Sequence, residues 1–180
     1  MAKELKIVAV GDGAVGKTSL LMVLNEKPFP ERYVPTIFEN YTQEVMINNE
    51  QYKLHIWDTA GQDEYDRLRP LSYRAADVIL LCFALDLKQS FVNLTERWIG
   101  EVKHYCKDAK IILVGTKADL RQPGNANHVS DEEAKQFVNE QKCADYVPCS
   151  PKTGEGIDKV FPAAAKACKN QKKKTVCILI

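Results

Sequence analysis

The sequence predicts an α/β fold: one mostly parallel, doubly wound sheet with a single antiparallel edge strand and helices on both faces. Three observations carry this. Short apolar runs alternate with amphipathic segments along the 180 residues, the rhythm of strands joined by helical crossovers. Two of the runs, Val78 to Ala84 and Lys110 to Val114, are nearly continuous in apolar side chains, as strands covered on both faces must be. The first run, Leu5 to Val10, passes directly into GDGAVGKTSLL, a glycine-rich loop that opens a helix. In such folds ligands bind where the strands end.

The remaining elements follow in order. Tyr41 to Ile47 and Tyr52 to Trp57 flank Asn48-Asn49-Glu50, which reads as a hairpin turn and supplies the antiparallel edge. Phe91 to Tyr105 has a helical period. Ser130 precedes another helix, with Glu133 three residues on in the capping-box spacing. Asp145 to Pro148 is a short strand. A last helix starts near Ile157 and fades into a lysine-rich end; Pro162 inside it predicts a lost hydrogen bond and a kink. Between Leu120 and Ser130 the proline, glycine and asparagines predict a loop. With no repeat and no linker, residues 1–168 form one domain and residues 169–180 a basic tail.

Composition bounds the function classes. A 45% hydrophobic and 27% charged chain is ordinary for a soluble globular domain. A net charge of +1 gives no general attraction to nucleic acid. Six cysteines without a CxxC pair and three scattered histidines offer neither a zinc site nor a disulfide framework, so a reducing cytosol is the expected compartment. The apolar run at the N-terminus is too short for a signal peptide, and no stretch approaches the roughly 20 apolar residues needed to span a bilayer.

Gly11 to Thr18 matches G-x-x-x-x-G-K-[ST]. Along Gly13, Ala14, Val15 and Gly16 the backbone can wrap a phosphate chain with its N–H groups inward, and the helix N-terminus adds partial positive charge. Lys17 can reach the β- and γ-phosphates, the Thr18 hydroxyl can ligate Mg²⁺, and Ser19 joins them at the helix start. This motif alone does not separate ATP from GTP. Asp58-Thr-Ala-Gly-Gln62 follows a strand; Asp58 can hold Mg²⁺ through a water, and Gly61 can bring its N–H close to a terminal phosphate. Thr116-Lys-Ala-Asp119 follows another strand. Asp119, with Lys117 beside it, can accept from the N1–H and exocyclic amine of guanine, a donor pair adenine lacks, so discrimination can be steep. TKAD is weak alone and strong in this order.

GDGAVGKT, the threonine of YVPT, DTAGQ, TKAD and CSPK together resemble the five ordered motifs of Ras-like small GTPases. YVPTIFENY (33–41) and WDTAGQDEYDRLRPLSY (57–73) resemble the Rho family in particular, and the similarity covers nearly the whole chain. The resemblance implies a GTP-binding, GTP-hydrolysing switch with Mg²⁺. Thr36 would close over Mg²⁺ and the γ-phosphate. Phe29 would pack edge-on against guanine, Tyr33 would cover the phosphates, and Gln62 would orient the attacking water. Segments 27–41 and 60–75 would be the two switches. It further implies a monomer regulated by exchange factors, GTPase-activating proteins and a dissociation inhibitor, acting on actin-regulating effectors such as formins or kinases. The effector segment Glu39-Asn40 is as in Rho proper while GDGAVGKT is closer to Rac, so the subfamily stays open. The loop after Leu120 is too short for the extra helix that Rho proteins insert there.

CSPK (149–152) places Pro151 where the family has an alanine whose N–H donates to guanine O6. Proline has no N–H. Ser150 and Lys152 remain as partners for the base, or the proline only stiffens the turn and O6 finds water. The chain ends in CILI, a C-a-a-X signal at Cys177, preceded by Lys172, Lys173 and Lys174. A prenyl group there, leaning towards geranylgeranyl from the terminal Ile180, plus the lysines makes a two-signal anchor for an anionic membrane. The expected location is the cytoplasmic face of the plasma membrane, cycling with the cytosol. The alternative function is a fast-exchanging, GTP-loaded membrane scaffold with little turnover; a membrane-trafficking GTPase is disfavoured by the Rho-like switch residues.

Overall fold

The computed structural model describes residues 2–32 and 35–169. Its strands are β1 Lys3–Val10, β2 Phe38–Ile47, β3 Glu50–Thr59, β4 Val78–Ala84, β5 Lys110–Thr116 and β6 Asp145–Pro148. They form one sheet in the order β2-β3-β1-β4-β5-β6. Every pairing is parallel except β2 with β3, as the single hairpin requires. Asn48 and Asn49 turn that hairpin at φ +51° and +64°, the positive pair of a two-residue type I′ turn, where asparagine is tolerated. Glu50 already belongs to β3, so the turn is one residue shorter than the sequence suggests.

The helices are α1 Lys17–Leu24, α2 Lys88–Asn93, α3 Ile99–Tyr105, α4 Asp131–Gln141 and α5 Val160–Cys168. They cover both faces of the sheet. β4 is buried at every position and splits with period two: Leu80, Cys82 and Ala84 pack under α1 and α5, while Ile79, Leu81 and Phe83 pack under α3 and α4. Full burial of one such leucine is worth about 1.5–3 kcal/mol, which explains why a strand with no polar alternation sits at the sheet centre. Ser130 and Glu133 form the reciprocal capping box at α4. No helix interrupts residues 121–130; His128 and Asn125 tie this loop together.

Two further expectations change. The helix predicted from Phe91 begins at Lys88 and runs through a π turn, Leu94–Trp98, before continuing as α3. Pro162 lies in the first turn of α5, after a 3-10 turn at Ile157–Lys159, not in the helix interior. A first-turn N–H has little helical partner to lose, so proline is tolerated there without the kink.

Candidate functional site

Because the parallel strands share a direction, the loops after β1, β3, β5 and β6 all leave the same sheet edge. The chain turns to opposite sides of β1, with β3 on one flank and β4 on the other, and the ligand crevice of an open α/β sheet forms at such a reversal. The glycine loop follows β1 there. Gly11, at φ +142°, lies so close to β4 that a Cβ would sit 2.1 Å from the Cys82 carbonyl oxygen. Ala14 also has positive φ, +60°, a left-handed conformation costing an L residue about 1–2 kcal/mol; the strain sits at the tip of the loop, and Gly16 (φ +96°) releases the chain into α1. Lys17 is 6% exposed, and its ammonium donates to the carbonyls of Gly11 (2.9 Å) and Asp12 (2.8 Å). Burial pushes its pKa down, opposed by nearby acidic groups. Ser19 follows in the first turn of α1.

Asp58 ends up inside β3, not beyond it, and is 1% exposed. Both its carboxylate oxygens are buried and accept no hydrogen bond among the described residues. Burial pushes its pKa up to about 6, partly offset by Thr18, Lys17 and Thr36. The Thr18 and Thr36 hydroxyls bond to each other beside it. A buried carboxylate without a donor is costly unless a cation completes it. An all-oxygen set of this kind suits a hard divalent ion.

The segment after β3 lies on the glycine loop. A Cβ on Gly61 would sit 2.4 Å from the Asp12 carbonyl carbon, the Gly11 oxygen and the Gly13 nitrogen, so only glycine permits this approach. Gln62 follows, its side chain 3.8 Å from where a Gly13 Cβ would be. The base-side motifs also meet. Thr116 donates to the Val15 and Phe83 carbonyls, fixing the end of β5 to the phosphate loop, and Lys117 adopts φ +56°. The Ser150 hydroxyl donates to the Asp119 carboxylate at 2.6 Å. Ser150 N–H goes to the Glu155 carbonyl, Thr153 N–H to Ser150 Oγ and Gly154 N–H to the Ser150 carbonyl. Pro151 cannot donate, and the Lys152 amide beside it donates no hydrogen bond among the described residues. Phe29 is 39% exposed in the loop after α1, with no ring contact among the described residues. Tyr33, Lys172, Lys173, Lys174 and Cys177 lie outside the described residues.

Sequence reasoning missed a second layer. Asp12, an unspecified position of the glycine motif, accepts from Trp98 Nε1–H (2.7 Å) and Asn93 Nδ2–H (2.6 Å). Trp98, fully buried, sits at the π turn and lies 4.5 Å from each of the Arg69 and Arg97 guanidiniums. Arg69, 2% exposed, donates to both Glu101 oxygens (2.7 and 3.0 Å), to Asp66 (2.6 Å) and to the Ala60 carbonyl (2.9 Å). Burial opposes its charge, but Glu101 and Asp66 outweigh that and hold its pKa up. Tyr73 donates to Glu101 at 2.5 Å, and Arg97 binds Asp63 and Asp66, both at 2.6 Å. The segment carrying Gly61 and Gln62 is thus tied to the same aromatic ring that tethers the phosphate loop. Nothing in the spacing of Arg69 or Trp98 announces this; the only signal was a carboxylate inside a phosphate motif.

Comparison with known proteins agrees with this geometry. The family model described as Ras, the Ras family, matches residues 6–170. GTP-binding protein RHO1 of Candida albicans (strain SC5314 / ATCC MYA-2876) is 46% identical over 188 aligned residues, which span 97% of this chain and 95% of that protein. With the phosphate loop, the buried carboxylate and the paired base-side motifs at one sheet edge, the chain belongs to the Ras family, among its Rho-type small GTPases.

Proposed function

We propose that the chain is a GTP/GDP switch in which the described loops bind guanine nucleotide with Mg²⁺ and hydrolyse the γ-phosphate. The observation that carries this is the buried Asp58 carboxylate, neither of whose oxygens accepts a hydrogen bond among the described residues, beside the Thr18 and Thr36 hydroxyls. These oxygens suit Mg²⁺, with Asp58 acting through a water. The ion, when bound, neutralises phosphate charge. The chain's own groups do the rest. Backbone N–H groups of residues 13–18 cradle the phosphates, Lys17 supplies a buried positive charge, and Gly61 gives its N–H a close approach. Gln62 positions water, and Asp119 reads the base. Catalysis of this kind is positioning and electrostatics. An arginine from an activating partner would raise turnover by about 10³–10⁵-fold. Membership of the family supports a cycling switch over a permanently loaded scaffold, and exchange, activating and effector proteins follow from it in general terms. Actin-regulating effectors are the proposed output. Residues 1–168 are the switch domain, and 169–180 a tail that Cys177 prenylation and Lys172 to Lys174 would attach to an anionic leaflet.

The test is Gln62→Leu. Single-turnover hydrolysis should fall on the order of 10²-fold or more, the loss expected for a misplaced reactant, while GTP affinity stays unchanged. Wild-type turnover in the variant would remove the water-positioning role.

Pro151 makes a second prediction. The Lys152 amide is the donor left for guanine O6, one residue later than the family's alanine. Pro151→Ala restores a donor, and one net hydrogen bond is worth about 0.5–1.5 kcal/mol. GDP release should slow by roughly two- to tenfold, measured by displacement of a fluorescent nucleotide. Release from the wild type that is equal or slower would discard the idea.

A further inference from the structure

The sheet edge opposite the nucleotide loops is rimmed by lysines. Lys3 opens β1, Lys103 sits in the last turn of α3 and Lys107 just beyond it, Lys110 opens β5, Lys142 caps α4 and Lys169 follows α5. They border an open groove of about 1390 Å³. Three carboxylates share the lining, Glu4, Asp77 and Asp108; Asp77 is engaged by the Lys6 backbone N–H at 2.8 Å. Glu50, just outside, pairs with Lys3 (2.6 Å) and Lys169 (3.5 Å). Positive charge still predominates here by six lysines to three carboxylates within the groove, in a chain whose net charge is only +1.

We propose that this face is a membrane-contact surface for an anionic lipid leaflet, formed by the folded domain itself. The proposal rests on the lipid-tail reading above and deepens it. The tail leaves the domain at Lys169, on this rim. Cys177 is eight residues further on, within about 30 Å of Lys169 at full extension. A lipid there brings this face to the bilayer before any other. Lys172 to Lys174 have the same sign as the rim, so the tail is a poor occupant of the groove; tail and rim share an anionic partner instead. Rim lysines within a Debye length of about 8–10 Å add to the tail's attraction. This docking also points the glycine loop and the adjoining Gly61 and Gln62, at the far sheet edge, away from the membrane, where regulators can reach them. The competing explanation is local: α3, α4 and α5 all end at this face, and lysines complement the negative ends of helices.

The experiment uses the full-length, unlipidated chain and phosphatidylcholine vesicles with or without phosphatidylserine. Co-sedimentation is measured for wild type, for Lys103→Gln/Lys107→Gln/Lys142→Gln, for Lys172→Gln/Lys173→Gln/Lys174→Gln, and for Lys88→Gln/Lys135→Gln outside the groove. At about fivefold per lysine near an anionic surface (about 1 kcal/mol each), the rim variant should partition on the order of 10²-fold less onto phosphatidylserine vesicles. It should keep wild-type GDP affinity, and the Lys88/Lys135 variant should bind vesicles like wild type. If only the tail variant loses binding, the proposal is overturned and the tail reading survives. If wild type shows no preference for phosphatidylserine, both fall. A rim variant with a lowered Tm and unchanged partitioning would reduce these lysines to helix-end charges and overturn the proposal.

Discussion

Gly61→Ala should bind guanine nucleotide yet hydrolyse it at least about 10²-fold more slowly, the scale of loss that follows when reacting groups are displaced by about an ångström. The added methyl would lie 2.4 Å from three atoms of the glycine loop, all of them backbone. No side chain can rotate away to make room. Either the phosphate loop or the 60–75 segment must move, and the phosphate loop is the better anchored of the two. Asp12 is held by Trp98 and Asn93, Lys17 bonds back onto the Gly11 and Asp12 carbonyls, and Thr116 holds Val15. The 60–75 segment therefore lifts, taking Gln62 from beside Gly13 and stretching the Arg69 bond to the Ala60 carbonyl. Overpacking of this kind costs about 1–3 kcal/mol, borne by the closed conformation of the switch rather than by the core. Single-turnover hydrolysis alongside nucleotide affinity separates the outcomes. A variant hydrolysing at the wild-type rate would mean that this approach of Gly61 to the loop plays no part in the reaction.

Asp119→Ala should collapse base discrimination. The carboxylate can take both the N1–H and the amine of guanine, and hydrogen bonds to a charged acceptor are worth about 1.5–3 kcal/mol each. Losing two lowers GTP affinity by about 10²–10⁴-fold, while ATP affinity, which never used them, stays where it was. Ser150 sharpens the effect. Its hydroxyl orients the carboxylate at 2.6 Å and is itself completely buried, so the variant also leaves a buried hydroxyl without its acceptor. Titration calorimetry with both nucleotides reads the result directly. A variant that kept its preference for GTP would move base recognition elsewhere in the pocket.

Much of the proposed site was legible in the linear chain because the phosphate and base recognition proposed for it needs particular residue types at short spacing. GDGAVGKT builds its own loop from glycine torsions and one lysine. β4 could be placed from Val78 to Ala84 because only a strand buried on both faces is apolar throughout. Ser130 and Glu133 announced α4 because a capping box closes within one turn. Pro162 was misjudged because the start of α5 depends on the 3-10 turn before it, which leaves no periodic trace.

Sequence by itself determined the fold class, the order of the loops at one sheet edge and the residue types proposed to meet phosphate and base, since each of these is a local choice of torsion, periodicity or hydrogen-bonding chemistry. Tertiary structure alone decided that Asp12 meets Trp98, that Arg69 is buried against Glu101, that the Asp58 oxygens accept no hydrogen bond among the described residues and that scattered lysines share one rim. Asp12 and Trp98 stand 86 positions apart in the chain and the rim lysines run from Lys3 to Lys169, and a charge has no sequence signature for the partner or the void that folding places beside it.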